Sequence, residues 1–307
     1  MTAGADTAPR LRRSLLATPG NVEAKVLKSA GLPVDVLMLD LEDGVPGTDD
    51  AKAQARDVLG RCIRGHAFAT REIAIRINGP RTPWFRDDLA FVTTLDIPTV
   101  VVPMVEDAED MVRVERELDD LKAPERLGLI LLIETPAAVL NLPEMVKASP
   151  RTNGLIAGGL DYAMCMHSLS ILPFQTDAGG HRHDEDLLYM RQRILAVARA
   201  HGLSALDAMR PGEISDLAAI RDDAAYARWL GFDGIDFYHP AFIDLANEVF
   251  TPSAEELAWA DKVLAPSSGD EAGATASRKV DGRVVLPQHV EIAKRLRALA
   301  AEIGKGT

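Results

Sequence analysis

The sequence predicts an α/β fold, a (β/α)8 TIM barrel with a C-terminal helical extension, and three observations carry that reading. Eight short apolar runs rich in branched residues recur along the chain, segments with helical spacing separate them, and no glycine-rich dinucleotide loop follows the first run. The last point argues against an open doubly wound sheet, and runs apolar on both faces suit a parallel sheet covered by helices. The 307 residues accommodate one barrel of about 250 residues and an appendage.

In chain order the strands are expected in RSLLAT from Arg13, VDVLMLD from Val34, EIAIRIN from Glu72, PTVVVP from Pro98, LGLILLIE from Leu127, GLIAGG from Gly154, LSALDA from Leu203 and GIDFYHP from Gly234. Helices are expected in DDAKAQARDVLGRCI, EDAEDMVRVERELDDL, DEDLLYMRQRILAVARAHG and ISDLAAIRDDAAYARWLG, where Asp or Ser often stands near the start and Gly near the end, as caps require. The small, polar stretch Leu264–Gly282 reads as a mobile connection to a last amphipathic helix over Gln288–Ile303. The barrel domain is therefore placed at residues 1–264, and the linker with the C-terminal helix at 265–307.

A net charge of −12 repels polyanions and excludes nucleic acid as an expected partner. No apolar run approaches the roughly 20 residues of a membrane span, and the first 20 residues hold no signal core, so a cytoplasmic protein is expected. Cys62 and Cys165 offer neither a disulfide framework nor metal-ligand spacing, and Cys165 reads as packing.

In such a barrel the chemistry sits at the C-terminal strand ends. VDVLMLDLEDGVP, Val34–Pro46, runs from an apolar strand into Asp40, Glu42 and Asp43. Acids at a buried strand end need a cation, donors or a basic partner. The other ends offer Arg76 and Asn78, Glu134, Asp161, Asp207 and His239. Glu134 after seven apolar residues, with Asp161 on the next strand, suits Mg2+ (or Mn2+), which prefers oxygen ligands and retains water. Small residues before Asp161 let a ligand approach the backbone at Gly159 and Leu160. Arg76 is able to clamp a substrate carboxylate by two parallel hydrogen bonds, or equally to pair with Glu42 or Asp43.

The segments RRSLLATPGN, LDLEDGVP with AKAQAR, IRING, LLIETPAAVLN, GGLDYA, LLYMRQRILAVARAHGLSALD and GFDG with HPAFIDLANEVFTPSAEELAWADKVL resemble the HpcH/HpaI aldolase and citrate lyase family, in its CitE-like branch, over about residues 10 to 300. The resemblance implies a Mg2+-dependent TIM barrel with a C-terminal lid, assembled as a homotrimer or homohexamer. It implies cleavage or formation of a 2-hydroxy or 2-oxo acid adduct, with an oxaloacetate-, pyruvate- or glyoxylate-class acid as substrate and a CoA thioester as partner fragment. Glu134 and Asp161 match the metal ligands and Arg76 the arginine that holds the oxo-acid. Asp40, Glu42 and Asp43 then form an acidic wall beside the metal. Two alternatives stand beside this lyase: a thioesterase of the malyl-CoA type, and a non-catalytic subunit.

Three positions depart from the pattern. Met104 and Ile235 stand where the family commonly has lysines, which weakens the expectation of CoA. Leu286 replaces the lid aspartate that serves as acid/base, and a leucine transfers no proton. Among the histidines, His289 is read as a helix-start residue, His181 and His183 as a solvated cap, His167 as packing, and His239 as either structural or catalytic.

Overall fold

The computed structural model describes residues 10–171, 185–209, 214–265 and 278–305. Strands and helices alternate through β1 (Ser14–Pro19), α1 (Glu23–Ser29), β2 (Val36–Asp40), α2 (Asp49–Gly65), β3 (Glu72–Arg76), α3 (Phe85–Thr93), β4 (Thr99–Val102) and α4 (Ala108–Asp120). They continue through β5 (Gly128–Ile133), α5 (Pro136–Ala148), β6 (Thr152–Ala157), α6 (Gly159–Cys165), α7 (Glu185–His201), β7 (Ser204–Ala208), α8 (Leu217–Leu230), β8 (Gly234–Phe237) and α9 (Ile243–Val249). The eight strands close into a parallel barrel in sequence order, β8 returning to β1. The expected fold is the one observed; six strands fall inside their apolar runs, while β1 extends one residue past its run to Pro19 and β6 begins two residues before its run at Thr152.

Residues two apart on a strand share a face, so the buried cluster Leu15, Val36, Met38, Ala74, Val101, Ile130, Leu132, Ile156 and Leu206 marks the inward positions. The same parity turns Asp40, Glu72 and Arg76 into the lumen, and pairing with Leu15 does so for Asp236. Apolar side chains fill the middle. Polar groups gather at the two ends.

At the N-terminal end, Arg12 is fully buried and donates from Nε and Nη2 to Glu72 at 2.9 and 2.8 Å, from Nη1 to Ser204 at 2.6 Å, and to Asn153 through Nη1 and Nη2. Arg10 and Thr99 complete the shell of Glu72. Burial acts to raise the Glu72 pKa, but Arg12 and these hydrogen bonds outweigh it and the net shift is downward. This floor is a closed polar plug.

Contacts divide the chain into two compact units, one ending at Asn247 and one beginning at Glu248. The second contains α10 (Ala254–Leu264), a hairpin of β9 (Arg278–Val280) and β10 (Arg283–Val285), and α11 (Pro287–Gly304), around a small core of Ala260, Val263, Val280 and Ala293. α10 begins with a capping box between Ser253 and Glu256. Most of the expected linker, residues 266–277, lies outside the described residues, as do His181 and His183. No helix among the described residues is long and apolar enough to cross a membrane.

Candidate active site at the barrel mouth

Asp40 and Arg76 end neighbouring strands and are register partners, which sets their side chains side by side in the lumen. Arg76 donates from Nε to Asp40 Oδ1 at 2.8 Å and from Nη2 to Asp40 Oδ2 at 2.7 Å. The same two oxygens accept the backbone N–H groups of Glu42, at 2.9 Å, and Gly44, at 2.7 Å. Every acceptor position of Asp40 is thereby used. Asp40 holds both the arginine and the turn that follows β2.

The turn delivers Glu42 and Asp43 to the remaining edge of Arg76. Nη1 lies 3.0 Å from Glu42 Oε2 and 3.3 Å from Asp43 Oδ2. The approach to Glu42 lacks hydrogen-bond alignment, so Glu42 Oε2 is buried with no hydrogen-bond partner. Burial raises the Glu42 pKa to about 9; Arg76 opposes the shift, and Glu134, Asp43 and Asp40 reinforce it. Burial would lower the pKa of Arg76, but the hydrogen bonds and charges of Asp40, then Glu42 and Asp43, raise it.

Glu134 follows β5 and is buried. Its Oε1 accepts the Met104 N–H at 2.7 Å, for which Met104 adopts a left-handed φ of 53° at the end of β4. Burial pushes its pKa up to about 7, with Asp161 and Asp43 adding to the effect and the Met104 N–H and Arg76 opposing it. Gly158 crosses directly over this carboxylate: a Cβ there would lie 2.4 Å from Glu134 Cβ. Glycine is required for that approach. The chain then turns into α6, whose first turn carries Asp161, half-buried, its pKa raised by burial and by Asp43. Gly159 and the exposed Leu160 flank it on the same turn.

The mouth thus gathers Asp40, Glu42, Asp43, Arg76, Glu134 and Asp161 in one electrostatic neighbourhood. Asp207 does not join them: it sits at an outward position of β7 and pairs with Arg191 of α7, at 2.9 Å. Asn78 serves the frame, donating to Leu41 O and Asp88. His239 Nδ1 accepts the Ala241 N–H, and His289 Nδ1 accepts the Leu286 N–H, so both rings cap turns. Cys165 and His167 are exposed rather than packed, because the chain after β6 forms a short surface helix and turn. Met104 and Leu286 are also exposed, and Ile235 is buried facing outward from the barrel.

One residue escaped the sequence reading. Asp236 on β8 faces the lumen, its Oδ1 closed off and unpartnered although part of the residue remains accessible. Burial pushes its pKa to about 7, with Arg76 opposing and Asp40 adding to the shift. A single acid inside an apolar strand, at the parity of Leu15, was the available signal.

A family model described as HpcH/HpaI aldolase/citrate lyase matches residues 13–240. The chain is 31% identical over 294 residues to a (3S)-malyl-CoA thioesterase of Cereibacter sphaeroides, covering 95% of each chain. It is 34% identical over 274 residues to a citrate lyase subunit beta-like protein of Deinococcus radiodurans, covering 88% of this chain and 89% of the other. Among solved structures, protein CitE from Mycobacterium tuberculosis in complex with magnesium, acetoacetate and coenzyme A superposes with a TM-score of 0.73 at 27% identity, over 94% of this chain and 97% of that one.

Proposed function

The chain belongs to the HpcH/HpaI aldolase/citrate lyase family, and on that premise we propose that it is a Mg2+-dependent carbon–carbon lyase or aldolase acting on a 2-hydroxy or 2-oxo acid adduct, with an acyl-CoA as the candidate adduct. The observation that carries this reading is the surplus of carboxylates over one arginine at the mouth, with the Glu134 pKa pushed up to about 7 by burial and further by Asp161 and Asp43, against the opposing Met104 N–H and Arg76.

The donor set fits Mg2+. Among the described residues no three His, Cys, Asp or Glu groups converge as a closed metal cage. Two carboxylates, Glu134 and Asp161, suit an ion that keeps several waters. Glu134 would ligate through the oxygen that Met104 leaves free. Bound there, Mg2+ would supply positive charge beside the oxygen on which negative charge develops as the carbon–carbon bond breaks.

The protein's own residues would do the rest. Asp40 fills the Nε–Nη2 fork of Arg76, so a substrate carboxylate would meet the arginine at its Nη1 end, beside Glu42 and Asp43. The α6 turn at Gly159 and Leu160 would border the substrate. Glu42 would hold a proton at neutral pH. In the lytic direction the hydroxyl loses its proton, the bond between the carbinol carbon and the acyl α-carbon breaks, and the electron pair leaves on the acyl fragment as an enolate, which is then protonated.

Thioester hydrolysis is the second reading, favoured by the 31% identity to a malyl-CoA thioesterase. Product analysis with malyl-CoA and Mg2+ separates the two. Lysis gives glyoxylate and acetyl-CoA; hydrolysis gives malate and free CoA. Formation of neither from malyl-, citramalyl- or citryl-CoA would sink both. If the C-terminal segment closes over a neighbouring subunit's site as a lid, Leu286 brings no proton donor to it, so lyase turnover should be weak. Leu286→Asp, alone or with Met104→Lys, should raise it, by up to about 10²-fold on the scale of positioned acid–base catalysis.

A further inference from the structure

The segment AKAQAR carries two cations that the proposed reaction leaves unexplained. Lys52 and Arg56 stand four apart on one face of α2. Lys52 is only 3% exposed. Its Nζ donates to Leu41 O at 2.7 Å and to Glu42 O at 2.8 Å, and lies 5.1 Å from the centroid of the Trp84 ring. Arg56 takes a longer route to the same place. Its Nη1 donates to Asp88 Oδ1 at 2.7 Å, and Asp88 Oδ2 accepts the Asn78 N–H and Nδ2 at 2.8 and 2.6 Å. Asn78 Nδ2 also donates to Leu41 O at 3.0 Å. Both routes end on the Leu41 carbonyl, whose two acceptor positions they fill.

Burying an ammonium against carbonyls and a ring face, with no carboxylate in direct contact, is costly, so a helix that needed only to pack would place an apolar residue here. What the ammonium accomplishes is local. It grips the two successive carbonyls of the peptide units on either side of Glu42, while Asp40 grips the N–H groups of Glu42 and Gly44 from the lumen. The turn is held from both sides. The backbone of Glu42 has little freedom left, and its side chain faces Arg76 Nη1.

We infer that Lys52, supported by Arg56 through Asp88 and Asn78, is a positioning residue that fixes the Leu41–Glu42 backbone and so aims the Glu42 carboxyl at Arg76. The inference rests on the proposed function for what Glu42 does to the substrate, and on geometry alone for how Glu42 is held.

The test has two arms, both on the full chain. In the first, amide hydrogen exchange is compared between the natural protein and Lys52→Met, which keeps the apolar stem and removes the donors. Amides of residues 41–45 should exchange at least about tenfold faster, the scale of one or two lost hydrogen bonds, while those of residues 72–75 do not change. Should Lys52→Met fail to fold, Lys52→Gln, with a shorter stem and two N–H donors, should give an intermediate acceleration. Unchanged exchange at residues 41–45 in the folded variant would overturn the inference.

In the second arm, oxaloacetate affinity in the presence of Mg2+ is measured for the natural chain, Lys52→Met, Glu42→Gln and the double variant. Lys52→Met should weaken binding about tenfold alone and not at all in the Glu42→Gln background, because a residue that acts through Glu42 has nothing left to position. A full additive loss in the double variant would contradict the inference and leave Lys52 a general structural residue. If the natural chain binds no oxo-acid, the functional reading falls, and the exchange arm still decides the role of Lys52.

Discussion

Both ends of the barrel lumen are built around an arginine and a carboxylate, and both use β3, through Glu72 at the floor and Arg76 at the mouth. The floor is balanced. Glu72 is met by Arg12 and Arg10, Arg12 spends its donors on Glu72, Asn153 and Ser204, and the Glu72 pKa is depressed. The mouth is not. Arg76 faces Asp40, Glu42 and Asp43, with Asp236, Glu134 and Asp161 in the same field, and the carboxyls of Glu42, Glu134, Asp161 and Asp236 are pushed upward. Two of the mouth's buried carboxyl oxygens, on Glu42 and Asp236, have no hydrogen-bond partner. The difference separates structure from function. A saturated network rigidifies, whereas a surplus of carboxyls around a single arginine marks a candidate site for a cation or substrate.

The comparison breaks most sharply if the floor is damaged. Arg12→Met leaves Glu72 buried with only the half-exposed Arg10 as a cation, and should cost about 3 to 5 kcal/mol in denaturant unfolding without altering the affinity of the mouth for Mg2+. A loss below about 1 kcal/mol would mean that the floor is not the stabilising end.

At the mouth, Arg76→Lys keeps charge and loses the planar fork. Oxo-acid affinity with Mg2+ present should fall roughly ten- to hundredfold, since a charge-assisted contact is worth about 1.5 to 3 kcal/mol. Unchanged affinity by calorimetry would remove Arg76 from the substrate site.

The smallest effect concerns pH. A carboxyl whose folded pKa lies above its unfolded value binds more protons in the folded state between the two values, so stability falls as pH rises through that window. For Glu42 the window runs from 4.5 to about 9, and Glu134 contributes up to about 7. The metal-free protein should lose stability from pH 5 to 9, Glu42→Gln should flatten the slope and stabilise at pH 8 by about 1 kcal/mol or more, and saturating Mg2+ should oppose the decline. Stability rising over that range, followed by thermal unfolding, would contradict the charge surplus.

The barrel was legible because each strand is built on an apolar run long enough to be seen and because α2, α4, α5 and α8 each begin at a side-chain N-cap. The strand ends that make up the candidate site were legible where an acid or arginine closes a run, as with Asp40, Arg76 and Glu134. It was not legible where strand parity decides. Asp207 and Asp236 each interrupt an apolar segment, yet one points out to Arg191 and the other into the lumen. Nor could sequence alone show that Arg76 already spends its fork on Asp40, or that Lys52 on α2 is buried beneath the turn that follows β2. Those facts depend on which loops meet, and loops meet only once the barrel has closed.

The central claim is that the surplus of carboxylates at the mouth is a cation site centred on Glu134 and Asp161. Titration calorimetry of Mg2+ near pH 7 in two buffers of different ionisation enthalpy tests it directly, on the natural chain, Glu134→Gln and Asp161→Asn. The account predicts saturable binding with proton release in the natural chain, because Glu134 near a pKa of 7 is partly protonated there, and a loss of at least about tenfold in affinity in each folded variant. Binding of equal strength in all three proteins, or binding without proton release, would contradict it.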